Sequence, residues 1–184
     1  MEDMGENLVG AYMRQVRGCH TVAFNTFLPW GQGEIDVIGV RSGKPVEVWL
    51  AEVAVHLDSL NYGGYARTTN KIAAKVAGAR RYAAEVYPAA AVTVELWSPV
   101  VPSGLLEPLA GTGAALVVNG EFTTRVGELL DQARASTRTT ADPAFRLLQI
   151  LTHLRNAGAL TLGGGRGRRT GSGNKDEPGE DKQS

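Results

Sequence analysis

Two apolar stretches of this chain, Gly33-Glu34-Ile35-Asp36-Val37-Ile38-Gly39 and Val48-Trp49-Leu50-Ala51-Glu52-Val53-Ala54-Val55-His56, carry acids in their middles. Each alternates or runs apolar as a buried strand does. A carboxylate in an interior strand is costly unless it is paired or bound to a cation. Glu34 and Asp36 are two residues apart, so their side chains leave one face of a strand, roughly 7 Å apart along it. If the two strands pair across a hairpin at Ser42-Gly43-Lys44-Pro45, Asp36 and Glu52 can converge on one point. Two carboxylates with backbone carbonyls and waters are a ligand set that magnesium favours, so the expectation is a divalent-metal site. The rival reading, acids facing solvent at a sheet edge, sits poorly with Leu50, Ala51, Val53 and Ala54 around Glu52.

The rest of the sequence supplies a frame for these strands. At 184 residues, 43% hydrophobic and 21% charged, the chain suits one globular domain over 1–160. The periodicity of Val9, Met13 and Val16 predicts a helix over 4–17, ended by Gly18. Strands follow at 21–27, 34–40 and 46–56, with tight turns that suggest an antiparallel meander. Residues 58–69 read as a long loop around Gly63-Gly64, and Asn70 as the cap of a helix over 71–87. A strand at 92–97, a short helix at 103–109 and a buried strand at 114–118, expected to be parallel to a neighbour, come next. Helices at 122–135 and from Asp142-Pro143 to near Gly158 complete the domain; the last is expected to bury Phe145, Leu148, Leu151 and Leu154. Residues 161–184, basic at Arg166, Arg168 and Arg169 and then acidic, lack an apolar anchor and read as a disordered tail.

Charge and cysteine content narrow the function classes. The formal net charge is zero, so any contact with nucleic acid must rest on a local basic patch. Candidates are Arg67, Lys71, Lys75 and Arg81, with Arg80 on the far side of the same helix from Lys71. Cys19 is the only cysteine, which excludes an intramolecular disulfide and a thiolate zinc cluster and suits a reducing compartment. The opening Met1-Glu2-Asp3 has no signal-peptide character, and no apolar run approaches the ~20 residues that span a bilayer. The expectation is a cytoplasmic protein that meets no membrane.

Gly5-Glu6 on a first helix, then Gly33-Glu34-Ile35-Asp36-Val37-Ile38, Glu52 in an apolar strand, and a helix opening with Lys71 together resemble the PD-(D/E)XK nuclease superfamily, most closely its Holliday-junction-resolvase-like branch. The likeness covers residues 5–87 in motif order. It implies an α/β fold, the restriction-endonuclease-like mixed sheet flanked by helices, and a magnesium- or manganese-dependent endonuclease acting on DNA. It makes Asp36 and Glu52 metal ligands, with Glu6 or Glu34 assisting. The motif also wants a lysine two residues after Glu52, where this chain has Ala54. Either Lys71 or Lys75 supplies the missing cation and acts with Asp36 and Glu52 in catalysis, or the metal chemistry is lost and the fold survives as a module that binds nucleic acid or protein. His56 shares the strand face of Glu52 and Ala54 and could serve near the site, but is more simply a satisfied core or edge residue. Tyr62 and Tyr65 with Gly63-Gly64 form a loop that could contact substrate, and the leucine-rich last helix could pack on a partner, including a second copy in a homodimer.

Overall fold

A computed structural model describes residues 3–31 and 33–158. The chain is mixed α/β: five strands form one sheet in the order β1-β2-β3-β4-β5, flanked by five helices. Helix α1 (Met4–Gln15) opens with a reciprocal cap, in which Glu6 N donates to Asp3 Oδ1 at 2.8 Å and Asp3 N donates to Glu6 Oε2 at 3.1 Å. The next strands are β1 (Thr21–Phe27), β2 (Glu34–Arg41) and β3 (Glu47–Val53), antiparallel in succession. Helix α2 (Tyr65–Val86) makes the crossover to β4 (Ala91–Ser98), which lies parallel to β3, as parallel neighbours require a long connection. Helix α3 (Ser103–Ala110) leads to β5 (Ala115–Val118), parallel to β4, and helices α4 (Gly120–Ala135) and α5 (Pro143–Asn156) follow.

The sheet is buried on both faces. One face, with Ile38, Val48, Leu50, Val94 and Leu96, packs against Ile72, Val76 and Ala79 of α2 and Leu105 and Leu109 of α3. The other, with Val37, Ala51 and Trp97, packs against Val9, Tyr12 and Met13 of α1 and Phe122 and Leu129 of α4. This accounts for the unbroken apolar character of β2 and β3. Gly39 is the position where α1 comes closest to β2: a Cβ there would stand 2.5 Å from Met13 Sδ.

The structure moves several boundaries. Helix α2 begins at Tyr65, so the loop expected at 58–69 stops at Gly64, and Asn70 lies inside the helix rather than capping it. The turn is made by Gly63 and Gly64 at φ 91° and 105°, whose amides donate to Asn61 Oδ1. Strand β3 ends at Val53, which releases His56 from the face of Glu52; it is exposed and meets the Tyr62 ring edge-on. In α5 Phe145 is buried, Leu148 and Leu151 are half-buried and Leu154 is exposed. Buried polar groups do part of the anchoring instead: Gln149 Nε2 donates to the Ser136 and Arg138 carbonyls, and Asp142 accepts from Arg14 and Gln15 of α1. The tail expected at 161–184, with Arg166, Arg168 and Arg169, lies outside the described residues.

The end of α1 is tied to the sheet by a buried ion pair. Arg17 donates to both Glu95 carboxylate oxygens, at 2.8 and 2.6 Å, and stacks 4.9 Å from the Trp49 ring. Removing one partner of such a pair strands the other without water, which costs ~3–5 kcal/mol. Glu95→Ala is therefore expected to lower unfolding stability by ~3 kcal/mol in urea denaturation; a loss under ~1 kcal/mol would show that Arg17 is not confined there.

Candidate functional site

Asp36 and Glu52 lie on the α2 face of the sheet and are 4% and 7% exposed. The β2–β3 register ends with Val37 opposite Ala51, so the next residues along the two strands are Asp36 and Glu52. There the ladder gives way to side chains. The Val53 amide donates to Asp36 Oδ2 at 2.6 Å, which locks that carboxylate against β3. Lys75, from the middle of α2, reaches down onto both acids: its Nζ is 2.6 Å from Glu52 Oε2 and 3.6 Å from Asp36 Oδ1.

Two buried carboxylates thus share one ammonium, and the electrostatics follow. Burial, then the neighbouring Asp36 charge, pushes the Glu52 carboxyl up from 4.5 to about 8 against the opposing pull of Lys75. Burial alone would lower the Lys75 ammonium, but the charge and hydrogen bond of Glu52, with Asp36 behind them, carry it above the ordinary lysine range. Both shifts have one sense: the cluster holds its protons. Tyr62, half-buried nearby, is raised by burial and then by the Glu52 charge.

Glu6 and Glu34 flank this trio without joining its ion pairs. Glu6 Oε2 is held by the Asp3 amide and by Asn25 Nδ2 at 3.2 Å, and its carboxyl is raised by burial, with the Asp36 charge a smaller contribution. Glu34 begins β2 opposite Phe27 and lines a cleft with Lys75. Among the described residues no three His, Cys, Asp or Glu side chains form a ready-made metal cage. Of the two candidate lysines, Lys75 reaches the carboxylates. Lys71 instead sits 3.7 Å from the centre of the Tyr62 ring. Arg67 lies exposed near the Gly63 turn, and Arg81 is engaged by the Trp30 ring at 4.0 Å and by Glu85 at 3.1 Å. Arg80 donates to the Gly113 carbonyl, away from that group.

Asn25 is a site residue that the sequence pattern did not single out. It has φ 48°, and the β1–β2 ladder skips it: Phe24 pairs with Val37 and Thr26 with Ile35, which leaves Asn25 beside Asp36 without a backbone pair. A non-glycine residue in that conformation is sparsely populated and costs of order 1–3 kcal/mol, and such strain concentrates at functional positions. Its amide holds Glu6, whose carboxyl feels the Asp36 charge. A polar residue in the otherwise apolar-leaning β1 was the sole signal.

Comparison with family models, with curated proteins and with solved structures finds no match to this chain. The site must therefore be read from its own geometry.

The Glu52 shift fixes the sign of a pH effect. Its folded pKa lies above its unfolded value, so its contribution is fully present below about pH 4.5 and is lost as pH rises through about 8. In the metal-free chain, Glu52→Gln removes the carboxylate that must ionise in place. That variant is expected to gain melting temperature over the parent as pH goes from 5 to 8.5, by ~2–4 °C for each kcal/mol of relief. A difference independent of pH in differential scanning fluorimetry would contradict the assignment.

Proposed function

We propose that this chain is a divalent-cation-dependent endonuclease that hydrolyses phosphodiester bonds in DNA. One observation carries the reading: Asp36 and Glu52, from adjacent strands, meet on one face of the sheet with the Lys75 ammonium against both. The resemblance to PD-(D/E)XK nucleases asks for a cation two residues after Glu52, where Ala54 stands; Lys75, reaching the two carboxylates from α2, is the candidate to supply it. The order of α1, three antiparallel strands, a crossover helix and a parallel strand is compatible with that resemblance.

Magnesium or manganese fits the donors present. The paired carboxylates exceed their single ammonium by one negative charge, and burial makes that surplus costly enough to lift Glu52 to about 8. Asp36 and Glu52 would hold the ion, with waters and substrate phosphate completing its shell, since magnesium is commonly held by one or two carboxylates and keeps several waters. Once bound, the ion would polarise the phosphoryl group and acidify a water. Asp36, fixed by the Val53 amide, gives the pair a rigid side. Lys75, with its Nζ 2.6 Å from Glu52 and 3.6 Å from Asp36, would bring a positive charge toward the phosphoryl oxygens.

The surroundings suit a polyanion. From residue 59 to residue 84 the chain has no acid and five cations, Arg67, Lys71, Lys75, Arg80 and Arg81. Arg67, Lys71 and Lys75 are spaced four apart and share one stripe of α2, each ~6 Å further along its axis. Neither Arg67 nor Lys71 has a carboxylate partner among the described residues. This stripe would receive phosphates on one side of the scissile bond. No helix among the described residues is long and apolar enough to cross a membrane.

A second reading has its own support: Lys75 already stands between the carboxylates as an internal counter-ion, which suits a nuclease-like domain that binds nucleic acid or a protein partner without cutting. Incubation with linear, branched and single-stranded DNA in magnesium or manganese separates the two. The enzyme reading expects cleavage that Asp36→Ala/Glu52→Ala reduces by ~10³-fold, the scale of losing a transition-state electrostatic contact, with the melting temperature equal or raised. Cleavage retained in the double variant would remove the assignment, and no cleavage by the parent would favour the binding module.

A further inference from the structure

Beside the carboxylates lies an open cleft of about 450 Å³ lined by Phe27, Gly31, Gly33, Glu34 and Lys75. We propose that it is a nucleobase subsite, which takes the base of an unpaired nucleotide next to the scissile phosphate; the inference rests on the nuclease reading and names its substrate class. Four features carry it.

The Phe27 ring is 77% exposed at the end of edge strand β1, where nothing in the fold uses it. An exposed ring beside a cationic side chain, here Lys75, is the element on which proteins stack unpaired bases. The opposite wall carries two glycines. A Cβ on Gly31 would meet only open space, so bare backbone is left there for a flat ring to approach, while one on Gly33, at φ 148°, would stand 3.2 Å from Leu28 Cδ1. The Leu28 amide donates to the Gly33 carbonyl at 3.0 Å.

Lys75 belongs both to this cleft and to the carboxylate trio. A base on Phe27 therefore places its own phosphate within reach of the same ammonium, continuous with Lys71 and Arg67 beyond it. Glu34 faces Phe27 across the β1–β2 register and offers only acceptors. It selects bases that carry an exocyclic amino group, cytosine, adenine and guanine over thymine, as acidic side chains do when they read cytosine. A base inside a duplex is stacked on both faces and cannot enter, so the substrate is single-stranded, frayed or carries an extruded nucleotide.

The test is fluorescence anisotropy of a labelled oligonucleotide, single-stranded or annealed to its complement, in EDTA so that nothing is cut, at one fixed salt concentration. The parent is expected to bind the single strand more tightly than the duplex. Phe27→Ala should weaken the single strand by ~5- to 100-fold, the span of one stacked base, leave the duplex unchanged, and be rescued by Phe27→Trp. Glu34→Gln should reduce the preference for an oligocytidine over an oligothymidine. Equal affinity of Phe27→Ala and parent for the single strand overturns the subsite, as does loss of self-association in Phe27→Ala with oligonucleotide affinity intact. The two proposals fail separately. Cleavage that survives Phe27→Ala at full rate on every DNA form sinks the subsite and keeps the nuclease; Phe27-dependent binding without cleavage by the parent keeps the subsite and sinks the nuclease.

Discussion

The arrangement of this molecule turns on an imbalance: two carboxylates buried in adjacent strands and one ammonium to answer them. Lys75 neutralises half of that charge from above, at 2.6 Å from Glu52 and 3.6 Å from Asp36. The remainder is held by hydrogen bonding, through the Val53 amide on Asp36, and by retained protons, through the raised Glu52 carboxyl. A fold selected for stability alone would fill these positions with apolar side chains of similar size, since replacing buried charge that way is often neutral or stabilising. Keeping the acids is a cost, and a polyvalent ligand is the simplest return for it.

The sheet explains how the imbalance is built and borne. Its two-sided burial gives β2 and β3 little freedom to slip, because a shift of one residue would exchange every side chain between the α1 and α2 faces. Asp36 and Glu52 consequently share the α2 face with Leu50 and Ile38, directly under the middle of the longest helix. At the rim, Asn25 leaves the β1 ladder at φ 48° and holds Glu6. The Arg17–Glu95 pair secures the opposite face, and with it the helix that presents Glu6. The charged row therefore has a rigid floor, and its open side leads to the cleft beneath Phe27 and to the cationic stripe of α2.

Much of this was legible in the amino-acid order because acids in apolar strands admit few solutions. The convergence of Asp36 and Glu52 follows from strand parity and one short connection, and the parallel character of β5 from its lack of a polar face. Four features escaped. Helix α2 begins six residues before its apolar stripe becomes regular, because Gly63, Gly64 and the Asn61 side chain fix its start by backbone geometry that hydrophobic periodicity does not report. Lys71 and Lys75 were equivalent on the helical stripe. Only the distance along α2 separates them, one turn placing Lys71 over Tyr62 and Lys75 over the acids. Asn25 showed only as a polar residue in an apolar-leaning strand and Phe27 only as one of its apolar residues, since a left-handed residue and an unused ring become visible only when their neighbours are in place. The stripe expected to bury Leu154 failed because α5 is anchored partly by Gln149 and Asp142, polar groups whose partners lie outside the helix, on the chain before it and on α1.

The central claim is that the pair formed by Asp36 and Glu52 is a cation site that Lys75 fills in the free chain. Calorimetric titration of manganese into the parent and into Lys75→Met, at pH 8 and without nucleic acid, addresses it most directly. The account predicts one ion per chain in both, bound more tightly by Lys75→Met because the competing ammonium is gone. No heat of binding in either protein would contradict it, and would leave the buried acids as a purely internal ion pair.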